Sequence, residues 1–275
     1  MESRKMRLTQ YGEAKSVKCK NKNRRREMEK KLSIWALVLI LSVLIISGCK
    51  KTADVPDAIQ GSGNIITEDR AVSNFDRIDW NGSGDVAIIQ SGEESLTVEA
   101  DDNVIEYVRT EVKNGTLELG LDAGEVKSIS STRLRFRVNV KDLTGLNLFG
   151  SGHITAASLD TDRLDIAVTG SGEVQIDSLT TEQVEVRITG SGRVRLVGEV
   201  AGQDIDISGS GEYHGGDLRA ETVEITISGS GDSTVWATES LDVRINGSGS
   251  LDYYGSPTVN RSGSGSGELN DLGEK

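Results

Sequence analysis

The triplet Gly-Ser-Gly returns along this chain about every 20 residues. It begins at Gly150, Gly170, Gly190, Gly209, Gly229 and Gly247, so successive starts are 20, 20, 19, 20 and 18 residues apart. Earlier copies begin at Gly61 and Gly82, and a compressed double copy begins at Gly263 and Gly265. A fixed period of this length means that each repeat is one supersecondary unit, which buries its apolar face only by stacking on its neighbours. The chain therefore reads as a stack of rungs.

Aligning the chain on the triplet shows what repeats with it. Two positions before each copy stand Leu148, Val168, Ile188, Ile207, Ile227 and Ile245. Four positions before stand Leu146, Ile166, Val186, Ile205, Ile225 and Val243. All twelve are aliphatic and the residues between them are mostly polar, which is the period-2 pattern of a strand with one buried face. Beyond the triplet, Ile154, Val174, Val194, Tyr213 and Leu251 mark a second strand. Leu159, Leu179 and Leu218 mark a further apolar site, each five residues before Leu164, Val184 and Val223. Each turn is expected to have two or three short sides, with corners at the triplet and at the polar segment. The fold expected is all-β: a parallel β-solenoid, a single-stranded right-handed β-helix with rungs of about 20 residues. Glycine suits its corners because it accepts positive φ. The serine can bond nearby backbone or stack in a ladder. A sandwich would not need identical corners at every turn.

From Gly61 to about Leu143 the strand patterns are irregular. Alternation runs through Ile78-Asp79-Trp80, Val86-Ala87-Ile88, Leu96-Thr97-Val98, Leu117-Glu118-Leu119 and 134–140. Asn114-Gly115 predicts a hairpin turn, and Asp102 to Arg109 a short helical turn. The resulting division is a signal segment at 1–49, a polar tether at 50–60, an irregular β part at 61–145 and the regular solenoid at 146–272.

Charge separates the first segment from the rest. Residues 1–49 carry twelve Lys and Arg against four Asp and Glu, and the remainder carries 19 against 39. So acidic a body repels phosphate backbones, which disfavours nucleic acid as a partner. Lys30 and Lys31 precede the apolar run Leu32 to Ile46, too short for a comfortable membrane span but laid out as a secretory signal. The run ends in Ile46-Ser47-Gly48-Cys49, which resembles a bacterial lipobox, with Cys49 as the site of lipid attachment and the membrane anchor. An ordinary leader would begin at Met28, which is the expected true start. The only other cysteine, Cys19, lies within the segment to be removed, so the mature body holds neither a free thiol nor a disulfide.

Constellations for chemistry are sparse. No G-x-x-x-x-G-K-[ST] is present and no G-x-G-x-x-G opens a helix, so the glycines are not a phosphate cradle. Five residues before successive triplets stand Asp165, Glu185, Asp204, Glu224 and Asp242. Stacked at strand spacing, these carboxylates repel one another, and solvation, Ca²⁺ or Arg187 and Arg244 two positions later could relieve them. His153 and His214 lack a second histidine or a cysteine at ligand spacing, so no metal, cofactor or catalytic triad is assigned. Trp236 and Tyr254 both stand seven residues after a triplet start, on adjoining rungs, and alternation points them outward. They are the candidate ligand contacts, for a sugar ring or a partner protein, unless they cover the end of the solenoid.

Gly-Ser-Gly-Asp at 82–85 and 229–232, Gly-Ser-Gly-Glu at 170–173 and 209–212, the opening 61–86 and the closing 236–257 together resemble the bacterial head GIN domain family, described as auto-transporter adhesins. The likeness spans about 61–270 and implies a β-helical fold, an envelope location, often as a lipoprotein, and no catalytic residues. The corners at 150–153 and 190–193 carry His153 and Arg193 in place of the acid. The chain thus reads as a lipid-anchored protein of the cell surface or periplasm with a non-catalytic binding or adhesion role, its partners the membrane through Cys49 and a surface glycan or envelope protein. Two other readings are a β-helix polysaccharide lyase or hydrolase, and an accessory or sensor protein of an envelope complex.

Overall fold

The computed structural model describes residues 58–122, 124 and 128–275. Cys49, Met28 and the signal segment lie outside the described residues, as does most of the tether.

The repeat folds as a parallel β-solenoid. Arg163–Gly170, Glu173–Gly190, Arg193–Gly209, Glu212–Gly229 and Asp232–Gly247 lie in succession, each parallel to the next. Gly82, Gly150, Gly170, Gly190, Gly209, Gly229 and Gly247 form one in-register column. The aliphatic residues two and four positions earlier form two further columns, and all twelve are buried. The strand does not break at the polar segment, where a second corner was expected: Glu173–Gly190 is one continuous strand of 18 residues. The parallel ladder to the next rung survives there with a small shift of register between Ile176 and Leu179.

The triplet is explained by what a side chain would meet. At Gly170 φ is +122°, and a Cβ would stand 2.4 Å from the carbonyl oxygen of Gly150 on the preceding rung. At Gly172 the constraint comes from inside. A Cβ there would stand 2.6 Å from Cδ2 of Leu148, the aliphatic residue two positions before the preceding triplet. The first glycine therefore turns the chain beside a neighbouring backbone, and the second leaves room for the core of the rung before. The backbone N–H of Ser171 between them donates to Gly150 O at 2.9 Å. The triplet serine side chains of the regular rungs are exposed. Among the described residues the pair Ser248 and Ser266 approaches as a ladder would, at 3.3 Å.

The compressed copy resolves in favour of its second half. Gly267 N donates to Gly247 O at 3.2 Å, and a Cβ at Gly267 would meet Ile245, as one at Gly249 would meet Ile227. The copy beginning at Gly265 therefore stacks on the triplet at 247–249.

The copy at Gly82 belongs to the stack as well. Arg77–Gly82 and Asp85–Gln90 lie in register with Gly145–Gly150 and His153–Ala156. Between Gln90 and Gly145 the chain leaves the repeat and folds over this rung. Leu134–Val140 runs parallel to Asp85–Gln90 and antiparallel to Ser95–Asp101, which in turn pairs antiparallel with Ile65–Arg70. Val108–Lys113 and Thr116–Leu121 form the hairpin expected at Asn114-Gly115, both turn residues having positive φ. Ile105–Tyr107 is a single 3₁₀ turn within the expected helical segment. Trp80 is fully buried beneath the excursion, 5.0 Å from the ring of Phe136 in an edge-on contact. At the other end, Arg261 takes the place of Val243 in its column and donates to Gly267 O at 2.6 Å. Both ends of the aliphatic core are thus covered, one by the excursion and one by a polar rung.

Candidate functional site

The acid column is real. Asp165, Glu185, Asp204, Glu224 and Asp242 are successive register partners. Its upper part is neutralised by arginines. Arg163 bridges Asp165 (2.9 Å) and Glu185 (2.7 Å), Arg187 holds Glu185 at 2.8 Å, and Arg77 reaches Asp165 at 3.0 Å. Arg163 and Arg77 were not expected in this role. Asp204 is raised above the ordinary carboxylate range, first by burial and then by the charge of Glu185. Asp242 accepts from Asn260 Nδ2 at 2.9 Å. Among the described residues no three acidic, histidine or cysteine side chains converge as a metal site would require.

Asp101 is fully buried, and its surroundings make it structural. It accepts from Gly63 N (2.7 Å), Ser131 Oγ (2.7 Å), Thr132 N (2.8 Å) and Thr132 Oγ1 (2.6 Å). Burial, the largest influence, favours the neutral acid, but these donors together outweigh it and hold the carboxyl well below its usual range. The first triplet, at Gly61, thus serves as part of a clasp, and a Cβ at Gly61 would stand 2.5 Å from this carboxylate.

Trp236 and Tyr254 are direct register partners, and both are half-buried on the side of the stack. The groove beside them follows from rung length. The rung from Gly229 to Gly247 is two residues shorter than its predecessor. Register therefore jumps from Gly215/Val235 to Arg219/Trp236, and 216–218 have no partner on the short rung. Tyr254 of the following rung closes on this step: a Cβ at Gly216 would stand 3.4 Å from its Cε2. An open groove of about 510 Å³ results, lined by Arg193, Arg195, His214, Asp217, Thr234 and Tyr254. Its polar wall is paired internally. Arg193 donates to Glu212 Oε2 through Nε (2.9 Å) and Nη2 (2.7 Å), and His214 Nε2 lies 3.2 Å from the same carboxylate. The bond from Arg193 is the main reason Glu212 is held below its ordinary value. His153 stands apart, 3.5 Å from Glu173 on the next rung.

Lys275 occupies one end of the groove. Its Nζ lies 4.8 Å from the ring centre of Tyr254 and 5.6 Å from that of Trp236. It donates to Gly216 O at 2.7 Å and to Asp217 Oδ1. The bond from Lys275 is the first cause of the lowered Asp217 carboxyl. Sequence reasoning found the aromatic pair but missed Lys275, Gly216 and Asp217. The 18-residue interval was the visible signal that a step must fall somewhere on this rung.

Stacked rungs, glycine corners and covered ends define a β-solenoid whose outer face is free to vary. The family model described as "Putative auto-transporter adhesin, head GIN domain" matches residues 74–257. The chain belongs to that family. A "putative adhesin" from Bacteroides fragilis is 34% identical, with 78% of this chain and 100% of that one covered, at a TM-score of 0.73. A "putative lipid binding protein" from Parabacteroides distasonis is 29% identical, covering 78% of this chain and 99% of that one, at a TM-score of 0.67. A "putative adhesin" from Parabacteroides merdae shares the fold at 23% identity and a TM-score of 0.64, over 78% of this chain and 99% of that one. No protein of curated function matches the chain.

Proposed function

We propose that the chain is an envelope lipoprotein, anchored through Cys49, that binds a surface glycan or envelope protein along the side of its solenoid without turnover. The observation that carries the binding reading is the register pair Trp236 and Tyr254, half-exposed beside a groove on the side of the stack. Because Arg261 and the excursion over Trp80 cover the ends of the core, the aromatic pair is not needed there as a cap. Membership of the adhesin family and the adhesin named among its structural relatives support the same reading. The polar tether and the lipobox-like Ile46-Ser47-Gly48-Cys49 support the anchor.

Capture from intact cells tests the binding role. The bait is the chain carrying Cys49→Ser, which cannot be lipidated, and bound glycans and proteins are scored separately. Capture that falls on Trp236→Ala/Tyr254→Ala supports the reading, and capture of neither class opposes it. Incorporation of labelled fatty acid, lost in Cys49→Ser, tests the anchor.

A further inference from the structure

Lys275 shows what the groove is built to hold. Its ammonium rests over two aromatic rings, beside a backbone carbonyl and a carboxylate. Those are the partners that hold an ammonium at a protein surface: a negative ring face, a neutral acceptor and an opposite charge. Yet Lys275 fills only one end. The groove continues past Thr234 and His214 to Arg193, three rungs from Tyr254, along a wall of polar side chains. A simple alkylammonium leaves Thr234 and Arg195 unanswered, since Arg195 approaches Asp177 (3.6 Å) and Asp217 (3.7 Å) only at long range. A pyranose answers them, with an apolar C–H face for Tyr254 and Trp236 and hydroxyls for Arg195 and Thr234.

We propose that this groove is a receptor for the protonated amino group of an unacetylated amino sugar, and that Lys275 is an internal competitor occupying its ammonium position. The inference rests on reading the Trp236–Tyr254 side as the binding face, and it names the ligand class for that face. The acidic body attracts such a cation over distance. Asp217 and the carbonyl of Gly216 receive the ammonium, Tyr254 takes the ring, and Thr234 and Arg195 read the ring hydroxyls. Acetylation removes both the charge and the donor that Asp217 needs. The ligand must displace a tethered group, so Lys275 lowers the apparent affinity of the site.

Titration calorimetry of the purified full chain tests this with three probes: a glucosamine tetramer, its N-acetylated counterpart and tetralysine. The glucosamine tetramer should bind, and its N-acetylated counterpart at least about tenfold more weakly, the scale of one lost cation–π contact with one charged hydrogen bond. Tetralysine, which keeps the ammonium but lacks the hydroxylated ring, should bind severalfold more weakly than the glucosamine tetramer. Asp217→Asn and Tyr254→Ala should each weaken glucosamine binding by about tenfold or more. Lys275→Met should strengthen it severalfold, an effect no structural role for Lys275 would produce. Circular dichroism confirms that each variant is folded. Equal affinity for the N-acetylated tetramer overturns the ammonium, and equal affinity for tetralysine overturns the sugar. No binding at millimolar glucosamine tetramer, or no gain in Lys275→Met, overturns the proposal. If capture from cells depends on Trp236 and Tyr254 while glucosamine does not bind, this inference fails and the binding face stands. If capture ignores both aromatics, the binding face itself fails.

Discussion

Arg77 reaches Asp165 across an intervening rung because the residue between them in the column, Gly145, has no side chain. The guanidinium Nη2 and the carboxylate Oδ2 are 3.0 Å apart, and a Cβ on Gly145 would stand 2.8 Å from Arg77 Nε. The acid column is thereby closed by a cation at one end, much as Asn260 closes it with an amide at the other.

The bridge itself should be worth little. Its side chains are 43% and 37% exposed, and exposed pairs contribute about 0–1 kcal/mol. A double-mutant cycle of Arg77→Ala and Asp165→Ala, read by denaturant unfolding, should give a coupling below about 1 kcal/mol. Gly145→Leu should abolish that coupling by displacing the guanidinium. A coupling above about 2 kcal/mol would mean that the column is far less solvated than its exposure indicates.

The corner makes a sharper prediction, because its three residues do different work. At Gly192 a Cβ would stand 2.5 Å from Val168 Cγ1 and 3.0 Å from the carbonyl of Gly172. Gly192→Ala therefore overpacks the core and should cost about 1–3 kcal/mol. Ser191 contributes its backbone N–H, which donates to Gly170 O at 2.8 Å, while its side chain is exposed. Ser191→Ala should change stability by no more than about 0.5 kcal/mol. Thermal unfolding of the two variants side by side decides this, and equal losses would contradict the division of roles.

How much of this was legible follows from the range of each interaction. The columns, the hairpin at Asn114-Gly115 and the triplet corner depend on near neighbours or on one fixed period, so alternation and spacing reveal them. Positive φ at the first glycine was foreseeable. The inward clash at the second was not, because it involves Leu148 or its equivalent on another rung. The excursion over Trp80 stayed unread because its strands choose partners through long-range, partly antiparallel pairings that no local pattern encodes. Lys275 was invisible for the same reason: 59 residues separate it from Gly216. Of the candidate site, the sequence could supply the aromatic pair and the short rung, but not the wall opposite.

A polar pair inside the stack was equally hidden. Gln203 stands in the column of Leu164, Val184, Val223 and Leu241, and Tyr213 in that of Val174 and Val194. Both are buried, with Tyr213 Oη donating to Gln203 Oε1 at 2.6 Å and Gln203 Nε2 donating to Leu218 O at 3.2 Å. Ser233, next to Tyr213 in register, makes space for the large ring. Tyr213→Phe removes the donor to Gln203 Oε1 and should cost about 1–3 kcal/mol. Tyr213→Phe/Gln203→Val removes both partners, and much of that loss should be recovered, since valine already fills the flanking positions of the column. Denaturant unfolding of the single and double variants gives the comparison. A double variant less stable than Tyr213→Phe would show that the carbonyl of Leu218, left without Gln203, dominates.

Asp101 supplies a pH dependence with a definite sign. An unfolded aspartate titrates at about 3.9, and the donors around Asp101 hold the folded carboxyl lower. In the interval between, the unfolded chain binds the extra proton, so stability falls as pH falls. The contribution of Asp101 is complete above about pH 5 and is lost progressively as the solution is acidified through the unfolded value towards the folded one. Asp101→Asn keeps the shape but presents an amide N–H₂ to donors such as Gly63 N–H and Thr132 N–H, leaving at least one without an acceptor. At pH 7 the variant should be less stable by about 2–4 kcal/mol, the scale of a charged hydrogen bond lost together with a buried group left unpaired. That gap should narrow as pH falls from about 5 to about 2, because only the wild-type carboxylate is being protonated. Urea unfolding of both chains at several pH values measures it. A gap independent of pH would show that Asp101 acts through its shape and not its charge.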